Sequence, residues 1–142
     1  MDKLLVRISV GILLLAFTSV CFADKGIFET KSGLKYKDLE IGTGTLAEVG
    51  KIAVIHLTGW LDDHGQKGEQ FICTRDLGKP ISFKLGTGYV MKGWNLGVAG
   101  MRVGGRRTLM IPSELGYGEK GVQTHVPPNA DLIFDVELLE VK

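Results

Sequence analysis

The sequence predicts an α+β domain in which a strongly bent antiparallel β-sheet wraps around one short α-helix. Three observations predict it. Residues 132–141 alternate, with Leu132, Phe134, Val136 and Leu138 on one face and Asp131, Asp135 and Glu137 among those on the other, so that face must meet a core. Residues 52–61 form a strongly apolar run with His56, Thr58 and Gly59 inserted, after a Gly42-Thr43-Gly44 turn, the pattern of a long and largely buried strand. Only residues 90–98 read as a helix. There Met91, Trp94 and Val98 recur at helical spacing, while Gly93 and Gly97 weaken the helix but permit close approach.

The elements follow in order along the 142 residues. Lys3 and Arg7 precede an apolar run over residues 8–17 that is too short to span a bilayer comfortably. Cys21-Phe22-Ala23 then offers small side chains at the two positions a signal peptidase reads. Residues 1–23 are therefore expected to be a signal peptide cleaved after Ala23, with export to the periplasm. A lipoprotein acylated at Cys21 is disfavoured by the bulky Val20. Residues 24–32 form a short extension and residues 33–142 the domain, with strands expected at 33–40, 52–61, 70–74, 81–85, 106–111 and 132–141. No internal repeat or linker divides them, and the length and the 44% hydrophobic content fit one globular unit.

Composition excludes several classes of function. Of 17 basic and 16 acidic residues, the signal segment removes two and one, leaving fifteen of each. A neutral domain has no electrostatic pull toward nucleic acid or an anionic membrane surface. After cleavage Cys73 is the one cysteine, which rules out an intrachain disulfide. His56, His64 and His125 are far apart and have no partner at metal-ligand spacing. Asp62-Asp63-His64-Gly65 between two strand-like runs reads as a turn. Gly42-Thr43-Gly44 and Gly86-Thr87-Gly88 lack the rest of a nucleotide loop, and Ser113 lacks a nucleophile-elbow setting. No metal or cofactor is expected.

What stands out is aromatic residues in short Gly-bounded segments. The run Gly93-Trp94-Asn95-Leu96-Gly97-Val98-Ala99-Gly100-Met101-Arg102-Val103-Gly104-Gly105-Arg106-Arg107 closely resembles the pattern of the FKBP-type peptidyl-prolyl cis-trans isomerases. So do Leu115-Gly116-Tyr117-Gly118, Val126-Pro127-Pro128-Asn129-Ala130 and residues 132–138, with His56-Leu57-Thr58-Gly59 and Phe71, Arg75 and Asp76 in order upstream. The resemblance covers residue 33 to the C-terminus. It implies an FKBP-like half-barrel and an apolar cup, with Trp94 as floor, Phe71, Phe83, Val90, Met91, Val126 and Phe134 as walls, and the Tyr117 hydroxyl at the rim. The Met91 backbone N–H would bind a substrate carbonyl.

By the same resemblance Tyr117, Trp94, Phe71 and Phe134 are the catalytic residues, and Leu57, Ile72, Phe83, Val90, Met91 and Val126 bind substrate. The substrates implied are unfolded or partly folded proline-containing chains, with the family's macrolide inhibitors as further ligands. Leu57, Ile72 and Leu77 stand where typical members carry a polar network of Tyr, Asp and Arg. Joint replacement by apolar groups is physically coherent, and it leaves a noncatalytic peptide-binding chaperone as the alternative to an isomerase. Phe71 and Ile72 are neighbours, so both can line one cup only across a bulge. The short stretch 24–31 leaves no room for the N-terminal dimerisation helix of some exported relatives, and a monomer is expected.

Overall fold

The computed structural model describes residues 26–142, so the expected signal segment and its cleavage point lie outside the described residues. The chain order is β1 (Phe28–Glu29), β2 (Lys35–Glu40), β3 (Ile52–Asp63), β4 (Gln66–Cys73), β5 (Ile81–Lys84), α1 (Lys92–Val98), β6 (Arg106–Ile111) and β7 (Leu132–Val141). A single 3₁₀ turn, Ser113–Leu115, follows β6. All pairings are antiparallel, in the order β1-β2-β6-β7-β3-β4, with β5 on β3. The expected α+β architecture, a bent antiparallel sheet on one short helix, is the one observed, and the sheet does not close into a barrel.

The twelve-residue β3 organises the sheet. Along one edge it pairs with β7, and along the other it is shared, with β5 against Ile52 to Ile55 and β4 against its second half. The buried Thr74 prolongs the β4 ladder through its side chain. Its hydroxyl accepts from the Leu57 N–H at 2.9 Å, donates to the Leu57 carbonyl at 3.2 Å and meets His56 Nδ1 at 2.8 Å. The β3–β4 hairpin turns through His64 and Gly65, both at positive φ, with the Gly65 N–H on the Asp62 carboxylate at 2.6 Å. Asp62-Asp63-His64-Gly65 is thus part of a tight turn.

The core lies between the concave face of the sheet and α1. Ile55, Leu57, Leu109, Ile111, Leu132, Phe134, Val136 and Leu138 are each at most 2% exposed. The helix can lie flush on β6 because it has no side chains at the contact. A Cβ on Gly93 would fall 2.5 Å from Ile111 Cδ1, and one on Gly97 2.5 Å from Leu109 Cδ1. The helix cost of two glycines, about 1 kcal/mol each, is offset by that approach. Among the described residues no helix is long and apolar enough to cross a membrane.

Candidate active site

Residues from five parts of the chain meet on the concave face. Tyr117, just after the 3₁₀ turn, packs edge-on to Phe71 of β4, with ring centroids 6.3 Å apart at 74°. Phe71 packs edge-on to Phe134 of β7 at 5.7 Å and 84°. Phe134 meets Trp94 of α1 at 5.6 Å and 88°, and Trp94 meets Phe83 of β5 at 6.2 Å and 45°. Edge-to-face geometry of this kind adds about 0.5–1.5 kcal/mol per pair beyond area burial. The rings therefore brace one another.

A bulge lets β4 contribute two adjacent residues. Gly59 pairs with Ile72 and Trp60 with Gln70, so Phe71 is the extra residue opposite the Gly59–Trp60 step. The bulge required by the neighbouring Phe71 and Ile72 is present. Gly59 completes the arrangement: a Cβ there would lie 2.6 Å from Phe134 Cε1 and 2.8 Å from Ile72 Cγ2. A glycine in mid-strand marks such a close approach, and here the space above it is taken by the Phe134 ring and the Ile72 methyl.

The sequence-predicted site residues fall into two layers. Phe71, Ile72, Val90, Met91 and Tyr117 are half-buried and form the accessible rim. Trp94 and Phe83 are buried with a trace of surface, 8% and 6%. Phe134, Val126 and Leu57 are sealed beneath them at 0–2% exposure, so they support the cup from behind. Leu57, Ile72 and Leu77 do not form one buried cluster. Leu77 is 68% exposed, on the turn after β4 where its N–H bonds the Cys73 carbonyl, and an arginine there would stand in solvent.

The polar groups at the cluster are donors. Trp94 Nε1 is buried with no hydrogen-bond partner among the described residues. The Met91 N–H has none among the described residues, because Met91 enters α1 in an extended conformation, φ −50° and ψ 131°. The Tyr117 hydroxyl is the one titratable group among these rings, and burial raises its pKa above the ordinary 10.0, so it stays protonated. The ion pairs among the described residues, Lys67–Asp135, Arg75–Glu137, Arg107–Asp38 and His64–Asp63, include none of these rings.

A family model, that of the FKBP-type peptidyl-prolyl cis-trans isomerases, matches residues 43–139. The chain belongs to this family. It is 47% identical over 109 residues to an FK506-binding protein of Neisseria meningitidis serogroup B, covering 77% of this chain and 96% of that one. To the peptidyl-prolyl cis-trans isomerase FPR2 of Saccharomyces cerevisiae it is 53% identical over 88 residues, 62% of this chain and 63% of that one. The solved structure of FkpA from Escherichia coli superposes with a TM-score of 0.73 at 36% identity, over 90% of this chain and 57% of that chain. That of AtFKBP13 superposes with a TM-score of 0.74 at 34% identity, over 82% and 99%. As an FKBP, the chain has peptidyl-prolyl cis-trans isomerase activity.

Sequence reasoning missed three contributors. Gly59 was placed in a strand but not under the Phe134 ring, although its mid-strand position was a signal. Ile81 of β5 is half-buried against the core and was counted only as strand. Asn95 ties the helix to the loop that carries Val90 and Met91, donating to the Thr87 carbonyl at 2.6 Å and accepting from the Gly86 N–H at 3.1 Å; a polar residue on a short helix gives no such sign.

Proposed function

We propose that this chain is an exported isomerase that assists the folding of exported proteins by turning X-Pro peptide bonds in the cup formed by Phe71, Phe83, Trp94, Tyr117 and Phe134. The observation that carries this reading is the continuous chain of ring contacts from Tyr117 to Phe83, with the Trp94 indole N–H as an unpaired donor among the described residues. Rotation about a peptide bond is opposed by a resonance barrier of ~18–20 kcal/mol, and no proton transfer or nucleophile is needed to cross it. The planar amide is more dipolar than the twisted one. An apolar cup therefore penalises the ground state more than the transition state, and donors from Tyr117 or the Met91 N–H hold the carbonyl in its twisted position. Each 1.36 kcal/mol so gained is a factor of ten in rate.

The occupants in this reading are unfolded or partly folded proline-containing chains and, as the names of its relatives suggest, macrolides such as FK506. The monomer is part of the same reading. Export rests on the basic start, the short apolar run and Cys21-Phe22-Ala23. N-terminal sequencing of protein recovered from the periplasm should begin at Asp24; a start at Met1 in cytosol, or acylation at Cys21, refutes export. A protease-coupled assay on short X-Pro peptides, set beside suppression of aggregation of a proline-free client, tests the rest. Peptide turnover blocked by macrolide supports the cup, whereas holding without turnover leaves only a peptide-binding chaperone.

A further inference from the structure

A largely buried charge, that of Arg107, is unused by the site as described. Alternation along β6 places Arg107 on the concave face with Leu109 and Ile111, and it is cross-strand to Val136 of β7 and Asp38 of β2. Its side chain is 11% exposed and that of Asp38 20%. An arginine among core residues is costly unless it is fully engaged. Here Nε donates to Asp38 Oδ1 at 2.7 Å, the guanidinium lies 4.3 Å over the Tyr36 ring, and Nη1 donates to the Gly97 carbonyl at 3.0 Å.

We propose that Arg107 is a positioning residue for isomerisation: by anchoring the C-terminal end of α1 to the sheet, it holds Trp94 at the floor of the cup. The proposal rests on the cup being the site of catalysis. A helix of seven residues is marginal by itself, and its last carbonyls face outward without intrahelical donors. Met91 at the start of α1 makes no side-chain capping bond, and Ala99 at its end has no polar side chain to make one. The Val98 carbonyl accepts from the Met101 N–H at 3.1 Å, and Arg107 supplies from β6 a donor for the Gly97 carbonyl and a cation at the negative end of the helix.

The glycine contacts bring α1 flush onto β6, but apolar contact is non-directional and by itself restrains sliding along the helix axis only weakly. A hydrogen bond from a guanidinium that is itself pinned to Asp38 and Tyr36 restrains it. The Trp94 indole has no hydrogen bond of its own among the described residues, so beyond its ring contacts with Phe83 and Phe134 its place is inherited from the helix. Asn95 couples the same helix to the loop of Val90 and Met91. A small displacement of α1 therefore moves floor and wall together, and misplacement by about 1 Å can cost on the order of a hundredfold in rate.

The test compares Arg107→Met, which keeps the stem and loses the charge and donors, with Arg107→Lys, which keeps the charge. Arg75→Met, on the opposite face, is the control for loss of an ion pair. Turnover of an X-Pro peptide is measured well below each variant's melting temperature, with the emission and iodide quenching of Trp94 read in a Trp60→Phe background. Arg107→Met should lose about tenfold in kcat with KM within about twofold, Arg107→Lys about threefold, and Arg75→Met nothing. Iodide should quench Trp94 more strongly in Arg107→Met. Unchanged kcat in folded Arg107→Met, or a loss that merely tracks the unfolded fraction, overturns the proposal. If Arg107→Met does not fold, full kcat in Arg107→Lys overturns it. Failure of the underlying reading looks different: the unsubstituted protein would then be inactive, or its activity would be indifferent to Trp94→Ala.

Discussion

On β7, Leu132, Phe134, Val136 and Leu138 face the helix while Asp135 and Glu137 face outward, and the neighbouring strands repeat the division. Across the outer face run the rows Thr58–Asp135–Thr108 and His56–Glu137–Arg106. Thr108 donates to Asp135 at 2.7 Å, Lys67 to the same carboxylate at 2.7 Å, and Arg75 to Glu137. Across the concave face, one residue along, runs Gly59–Phe134–Leu109. The difference shows how one set of strands separates two tasks. Outer charges satisfy one another at the edge of solvent, whereas the inner rings bury area and leave donors unpaired. An unsatisfied donor costs free energy, and the unpaired Trp94 indole lies on the concave face, where the proposed cup is.

The comparison breaks most sharply at Phe134, where stability and site share a ring. Phe134→Ala should cost about 3–5 kcal/mol by denaturant titration and abolish detectable turnover. If it costs below about 1 kcal/mol, the concave face is not a packed core.

Next comes Ile72→Asp, which moves outer-face chemistry inward. With its methyl over Gly59 beside Phe134, an aspartate there has no cation to meet, and a loss of about 1–3 kcal/mol is expected. Because Leu77 is exposed, the triple change Leu57→Tyr, Ile72→Asp, Leu77→Arg should recover little of it. Full recovery would show that residue 77 can fold back over the cup.

Tyr117→Phe sharpens the comparison at the rim. It should lower kcat/KM about fivefold, the worth of one hydrogen bond of about 1 kcal/mol. The raised Tyr117 pKa also fixes a sign. Below pH 10 both folded and unfolded chains keep the proton, so this group adds no pH dependence; above the ordinary 10.0 the unfolded chain ionises first, and stability falls as pH rises toward the folded value. Alkaline unfolding should be shallower in Tyr117→Phe. Equal slopes would mean that the hydroxyl is solvated.

The smallest effect is expected outside. Arg75→Ala breaks an ion pair whose side chains are 59% and 35% exposed, so it should cost no more than about 1 kcal/mol and leave turnover unchanged. A larger loss of activity would tie the outer face to the cup.

Much of the fold was legible because burial imposes a period. β6 and β7 run over the expected residues, 106–111 and 132–141, because β7 alternates from Leu132 to Leu138 and Leu109 and Ile111 bury the second half of β6. β4 begins at Gln66, four residues before the expected start, because its first residues are exposed and polar and are held by ladder bonds to β3. β1 was missed for the same reason: Phe28 and Glu29 are exposed, and the pairing with β2 leaves no pattern in two residues. The helix begins at Lys92 instead of residue 90, Met91 serving as an extended entry.

For the site, residue type carried the aromatic cluster but not its depth. Trp94, Phe71 and Phe134 are rings that a small domain must bury, and the family motif placed them together; which of them keeps surface depended on neighbours far along the chain. The sequence by itself determined the long strands β3, β6 and β7, the face that β7 buries and the family, because these follow from side-chain periodicity and from motifs written in consecutive residues. Only the tertiary structure decided that Leu57 and Val126 lie behind the cup, that Leu77 stands outside it and that Arg107 reaches the end of α1. Each of those outcomes depends on contacts between segments tens of residues apart, where packing and directional hydrogen bonds, not local preference, set the geometry.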